Sequence, residues 1–150
     1  MAGVRDVAFD FSGRAVVVTG GTSGIGRAVA AGFGAAGADV TITGTRDRGE
    51  YDDDFEGFAF RRVELAVAAD TEGLASSITR CDVLVNVAGG LTRDPSELTP
   101  EGFAQTIESN LNGTFRVCHA LHPLLGRDGG AIVNFASMVA LFGSPRVPGY

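Results

Sequence analysis

The chain has 150 residues and a mass of 15.4 kDa, a length at which one domain can bury a sizeable core. Hydrophobic residues make up 45 % and charged residues 20 %, which excludes wholesale disorder, and the net charge of −6 tells against a non-specific nucleic-acid binder. No apolar run reaches the roughly 18 residues of a spanning helix, Met1 to Gly13 lacks a signal-peptide core, and Cys81 and Cys118 fit neither a disulfide scaffold nor a zinc site, so the cytoplasm is the expected compartment.

Short apolar runs alternate with helical stretches over 1–150, which predicts a single domain of βαβ units around a parallel sheet. Ala15 to Thr19 is apolar on both faces, as a buried parallel strand should be. A helix is expected from Ser23 to Ala36, with Ile25, Val29 and Phe33 as its buried stripe and Gly37 as its cap. Asp39 to Gly44 reads as the second strand, and the acidic stretch Glu50 to Glu56 as a solvated loop rather than a metal site. Ala59 to Leu65 is the third strand, Thr71 to Thr79 a short helix, and Asp82 to Val87 the fourth strand.

A long helix should start at Thr99, with Pro100 in its first turn, and reach Leu121, with Phe103, Ile107, Asn110 and Thr114 along one side. Asp128 to Gly130 is a turn, Ala131 to Ala136 the fifth strand, and Ser137 to Tyr150 a loop. His119 and His122 are too few for a metal site and read as exposed or packing residues.

The segment Thr19-Gly20-Gly21-Thr22-Ser23-Gly24-Ile25-Gly26 ends a strand and opens a helix. There, Gly20 permits a tight turn, Gly24 lets the backbone approach a pyrophosphate, and Gly26 allows close helix–strand packing. The N–H groups and positive dipole end of the helix suit an anion.

The spacing G-x-x-x-G-x-G resembles the short-chain dehydrogenase/reductase family, whose signature is T-G-x-x-x-G-x-G. Further features match in order. Asn86-Val87-Ala88-Gly89 is similar to the family's N-N-A-G, with Val87 in place of the second Asn. Asn110-Leu111-Asn112-Gly113-Thr114-Phe115 is similar to N-L-x-G-x-F, Ser137 ends the fifth strand, and Tyr150 follows at the family's Ser-to-Tyr spacing. Thr92-Arg93-Asp94 resembles some acyl-carrier-protein ketoreductases. The resemblance runs from about Phe11 to Tyr150 and implies a doubly wound α/β Rossmann fold with strand order 3-2-1-4-5.

It also implies roles. Tyr150 becomes the acid/base, Ser137 polarises the substrate oxygen, and Asn110 holds a water in a proton relay. Gly20, Thr22, Ser23, Gly24, Ile25, Gly26, Asn86, Ala88 and Gly89 line the dinucleotide. Bringing a phenol from about 10 to about 7 takes roughly 4 kcal/mol of differential stabilisation of the phenolate. In the family a lysine four residues after the tyrosine supplies much of that field. The twelve arginines account for every basic residue, so this chain has no lysine, and it is expected to be the N-terminal part of such an enzyme.

Cofactor choice is read at the end of the second strand, where an acidic residue suits a ribose 2′-OH and an arginine suits a 2′-phosphate. Thr45 stands in the acidic position and Arg46 follows it, which favours NADP over NAD, against an adjacent Asp47 and a Ser23 that replaces a basic residue of NADP-preferring relatives. Glu64-Leu65 falls at the family's adenine-flanking Asp-hydrophobic pair. The expected activity is hydride transfer between NADP(H) and a ketone or secondary alcohol, with 3-oxoacyl groups among the candidates. A small-molecule substrate and a homotetramer follow from the same resemblance. The rival readings are a non-catalytic dinucleotide module or sensor, and a Rossmann-like domain for another adenine-containing ligand. Were these 150 residues the whole protein, the fifth strand would be an open parallel edge, for which poor solubility or assembly with another copy or chain is expected.

Overall fold

The computed structural model of the chain describes residues 8–91, 95–127 and 129–150. Five strands form one parallel sheet: β1 (Ala15–Thr19), β2 (Asp39–Gly44), β3 (Ala59–Arg62), β4 (Val83–Asn86) and β5 (Ala131–Asn134). Their order is β3-β2-β1-β4-β5, as expected. Strand direction alternates side chains between the faces, so Val16 and Val18 join one core while Val17 joins the other. On one face Val40, Ile42, Val85 and Phe55 pack under α1 (Gly24–Ala35). On the other, Val63, Leu65, Leu74, Leu84, Val117 and Leu121 pack under α2 (Ala68–Ser77) and α4 (Thr114–Leu125).

Several expectations need correction. Ile25 is not part of a buried stripe. It is 61 % exposed, because the first turn of α1 projects beyond the sheet, and Gly26 and Ala30 are the buried positions. Gly37 does adopt a positive φ of 88° behind the helix. β3 ends at Arg62 rather than Leu65. Val63 still donates its N–H to the Gly44 carbonyl at 2.8 Å, but its side chain and that of Leu65 turn into the core. The α2 helix starts at Ala68 rather than Thr71, since the buried Thr71 hydroxyl bonds back to the Ala68 carbonyl inside the first turn.

The long helix is three pieces. Thr99 caps α3 (Pro100–Ile107) by accepting the Gly102 N–H at 3.1 Å. A π-helical stretch (Glu108–Gly113) follows, and α4 then runs to Leu125 rather than Leu121, with Pro123 inside it and buried Leu125 pinning its last turn. The expected strand over Ala131 to Ala136 pairs only to Asn134, and every residue of β5 is exposed. The final loop contains a short helix, α5 (Val139–Phe142).

Candidate active site

The strand order reverses between β1 and β4, and open α/β sheets offer their ligand crevice at the carboxyl ends beside such a point. At the end of β1, buried Thr19 accepts the N–H groups of both Val87 and Ala88, each at 3.2 Å, and so ties the glycine turn to the end of β4. Gly20 has a φ of 68°, and a Cβ there would lie 2.8 Å from the Ala88 Cα. A Cβ on Gly26 would lie 2.2 Å from the Gly20 carbonyl oxygen, so the turn folds directly onto the helix start.

The helix start itself is open. The first helical bond runs from the Arg27 N–H to the Ser23 carbonyl at 3.1 Å, which leaves the N–H groups before it without a partner along the helix. Ser23 is the N-cap, yet its hydroxyl caps nothing, and Ser23, Gly24 and Ile25 are exposed. Gly24 has a φ of 52° and open space where its Cβ would stand. A pyrophosphate would fill that cradle and take the orphaned donors, so these residues fit a dinucleotide.

At the end of β2, Thr45 and Arg46 are exposed. The Arg46 guanidinium lies over the Tyr51 ring, 4.3 Å from its centroid. Asp47 is occupied elsewhere: its N–H donates to the Glu50 carboxylate at 2.8 Å and its carboxylate faces Arg62 at 3.8 Å. The Glu64 N–H donates to the Asp70 carboxylate at 2.8 Å, and the Leu65 side chain is core.

Asn86 is buried. Its amide donates to the Asn134 Oδ1 at 2.8 Å and to the Cys118 Sγ at 3.2 Å, leaving its own Oδ1 without a partner. Asn110 lies in the π-helical stretch. Its Oδ1 accepts the Gly90 N–H at 3.0 Å and its Nδ2 donates to the Gly90 carbonyl at 2.7 Å. The side chain also lies against Gly89, where a Cβ would come within 3.3 Å of Oδ1.

Ser137 is half-buried beyond β5, where its Oγ accepts the Val139 N–H at 3.2 Å and keeps its own proton free to donate. Tyr150 is 36 % exposed and lines a cavity of about 420 Å3 with Val139, Ser144, Val147 and Gly149. Gly149 sits against α3, where a Cβ would lie 3.0 Å from Thr106. Ser137, Asn110 and Tyr150 share no hydrogen bond with one another among the described residues. The Thr92 to Asp94 match lies outside the described residues.

The comparisons with known proteins agree with this architecture. Residues 14–150 match the family model described as short chain dehydrogenase. The chain belongs to the short chain dehydrogenase family. It is 37 % identical to a D-threitol dehydrogenase of Mycolicibacterium smegmatis, in an alignment that covers 89 % of this chain and 57 % of that protein. It is 33 % identical to an L-fucose dehydrogenase of Oryctolagus cuniculus, covering 89 % of this chain and 50 % of that one. A solved short-chain dehydrogenase/reductase from Brucella melitensis, titled glucose/ribitol dehydrogenase, superposes with a TM-score of 0.84 at 31 % identity, covering 96 % of this chain and 65 % of that structure. This short chain dehydrogenase sequence thus spans little more than half the length of the curated relatives it matches. Its family implies a nicotinamide dinucleotide. No described helix is long and apolar enough to cross a membrane.

Sequence reasoning passed over one residue that packs against Arg46. Tyr51 stands in the loop after β2, and its hydroxyl accepts the Arg46 N–H at 3.1 Å. The signal available was an aromatic residue shortly after Arg46, inside a largely acidic loop.

Proposed function

We propose that this chain carries the cofactor site and the acid–base tyrosine of an oxidoreductase that moves a hydride between NADP(H) and a ketone or secondary alcohol. The observation that carries this reading is the open start of α1, where exposed Ser23, Gly24 and Ile25 stand at the reversal of strand order. NADP is favoured over NAD because Arg46 forms no ion pair among the described residues, while the carboxylate of neighbouring Asp47 faces Arg62 at 3.8 Å.

When bound, the nicotinamide supplies or takes the hydride. The chain's own residues do the rest. The Tyr150 hydroxyl gives a proton to the substrate oxygen in reduction and takes it back in oxidation. The free hydroxyl proton of Ser137 donates to the same oxygen and stabilises its developing charge. Asn110 stands in the proton relay, and its clasp on Gly90 sets the loop after β4. The names of the relatives favour a sugar or polyol hydroxyl as the small-molecule substrate. Exposed Leu111 and Phe115 on the long helix support assembly with further copies, as a homotetramer.

The test is Tyr150→Phe in the full-length protein. The kcat should fall by about 10²–10⁴-fold while the NADPH dissociation constant stays within about twofold. Robust NADPH-dependent activity in this variant would end the role given to Tyr150.

A further inference from the structure

The Tyr51 phenol joins the elements that would read the adenosine end of the cofactor. Its oxygen accepts the Arg46 N–H at the end of β2. Burial works against ionisation of this phenol, but the Arg46 backbone N–H and the neighbouring polar groups of Thr22, Arg46 and Thr45 outweigh it and hold it below the ordinary tyrosine value. Thr22 belongs to the glycine turn, and its Cγ2 and the Tyr51 hydroxyl oxygen both crowd the space over Gly44 at the end of β2.

The fit depends on a glycine. A Cβ on buried Gly44 would lie 2.4 Å from the Tyr51 hydroxyl oxygen and 2.6 Å from the Thr22 Cγ2. Behind the hydroxyl, the ring meets Phe55 edge-on at 5.3 Å and Phe60 at 5.9 Å. Phe55 is fully buried, so the ring has a rigid backing. In front, the Arg46 guanidinium rests on the ring face at 4.3 Å, while no carboxylate pairs with it among the described residues. An aromatic face holds a guanidinium without neutralising it, and the edge donors stay aimed at a second anion.

We infer that Tyr51 is a positioning residue for cofactor choice, holding the Arg46 guanidinium on its ring so that it would be ready to meet a 2′-phosphate. This rests on the NADP reading of the same site. Without the ring, Arg46 is a mobile surface side chain that loses rotamer freedom on meeting the phosphate, and affinity falls for the phosphorylated cofactor alone.

The experiment measures NADPH and NADH dissociation constants by calorimetry on the full-length protein and its Tyr51→Leu, Tyr51→Phe, Arg46→Ala and Tyr51→Leu/Arg46→Ala variants. Leucine keeps an apolar contact with Phe55 and Phe60 but removes the aromatic face, and unchanged NADH binding reports an intact fold. Tyr51→Leu should weaken NADPH about tenfold and NADH less than twofold, and Tyr51→Phe should restore the preference to within about threefold. In the Arg46→Ala background the leucine change should have no further effect on the ratio. A normal NADPH/NADH ratio in Tyr51→Leu, or equal losses for both cofactors, would overturn the role of Tyr51 while a lowered ratio in Arg46→Ala keeps the NADP reading. An unchanged ratio in Arg46→Ala would overturn both.

Discussion

The Asn110 side chain closes a two-bond clasp on the Gly90 backbone, accepting its N–H at 3.0 Å and donating to its carbonyl at 2.7 Å. This joins the π-helical stretch to the loop that leaves β4. Asn110→Leu removes both bonds, but Gly90 is exposed and water can take over its N–H and carbonyl. It should therefore cost no more than about 1 kcal/mol in urea unfolding. On the proposed function it should lower kcat/KM more than it weakens NADPH binding, because the proton relay is lost outright while Asn110 touches the proposed dinucleotide site only through Gly89 and Gly90. Unchanged kinetics in a variant that unfolds more easily would reduce Asn110 to a structural residue.

Gly26 bears on the other end of the site. A Cβ there would stand 2.2 Å from the Gly20 carbonyl oxygen, which is backbone and cannot swing aside. Gly26→Ala must therefore push α1 away from the turn. Overpacking of this kind costs about 1–3 kcal/mol. On the proposed function the displaced helix start would hold the pyrophosphate, so dinucleotide affinity should drop at least tenfold for NADPH and NADH alike. Calorimetric titration against both cofactors checks this, and a loss confined to one of them would contradict the assignment.

Much of this was legible because local chemistry and tertiary demand coincide. Val16 to Val18 cannot satisfy a surface strand, so β1 had to be central, and the glycine turn behind it has few other uses. The same chain misleads where packing overrides spacing. Ile25, Val29 and Phe33 repeat every four residues, yet Ile25 is left exposed in the first turn of α1. The spacing of Phe103, Ile107, Asn110 and Thr114 reads as one helix, since a single wide turn hardly disturbs a periodic pattern. Tyr51 escaped notice because its partner, Gly44, matters through the space it leaves open, and no pattern of residue types records a space.

Cys81 is 1 % exposed, and burial, with the neighbouring Asp82 charge, pushes its thiol up to about 11. The thiolate is the reactive form, and at pH 8 it would be about one part in a thousand. Native protein should leave Cys81 unmodified by iodoacetamide over hours at pH 8, whereas urea-unfolded protein should label it fully. Peptide mass mapping distinguishes it from Cys118. Rapid native labelling of Cys81 would mean that the lower edge of the sheet opens locally.

Asp82 predicts a pH dependence of stability. Its carboxylate takes the Ala15 N–H at 2.8 Å, Arg80 at 2.8 Å and Arg14 at 3.2 Å, at the point where β1 and β4 begin. Burial works against its charge, but the Ala15 N–H and the two guanidiniums outweigh it and hold Asp82 below the ordinary carboxylate value. The unfolded chain titrates this group at about 3.9. The folded value is lower, so the stabilisation is complete above that pH and is lost as the pH falls through the folded value. Asp82→Asn should cost about 1–2 kcal/mol at neutral pH, the arginines being half-exposed and screened. It should also flatten the loss of stability below about pH 4. Urea unfolding of both proteins at pH 7 and below pH 4 measures this, and parallel acid profiles would show that other carboxylates govern acid unfolding.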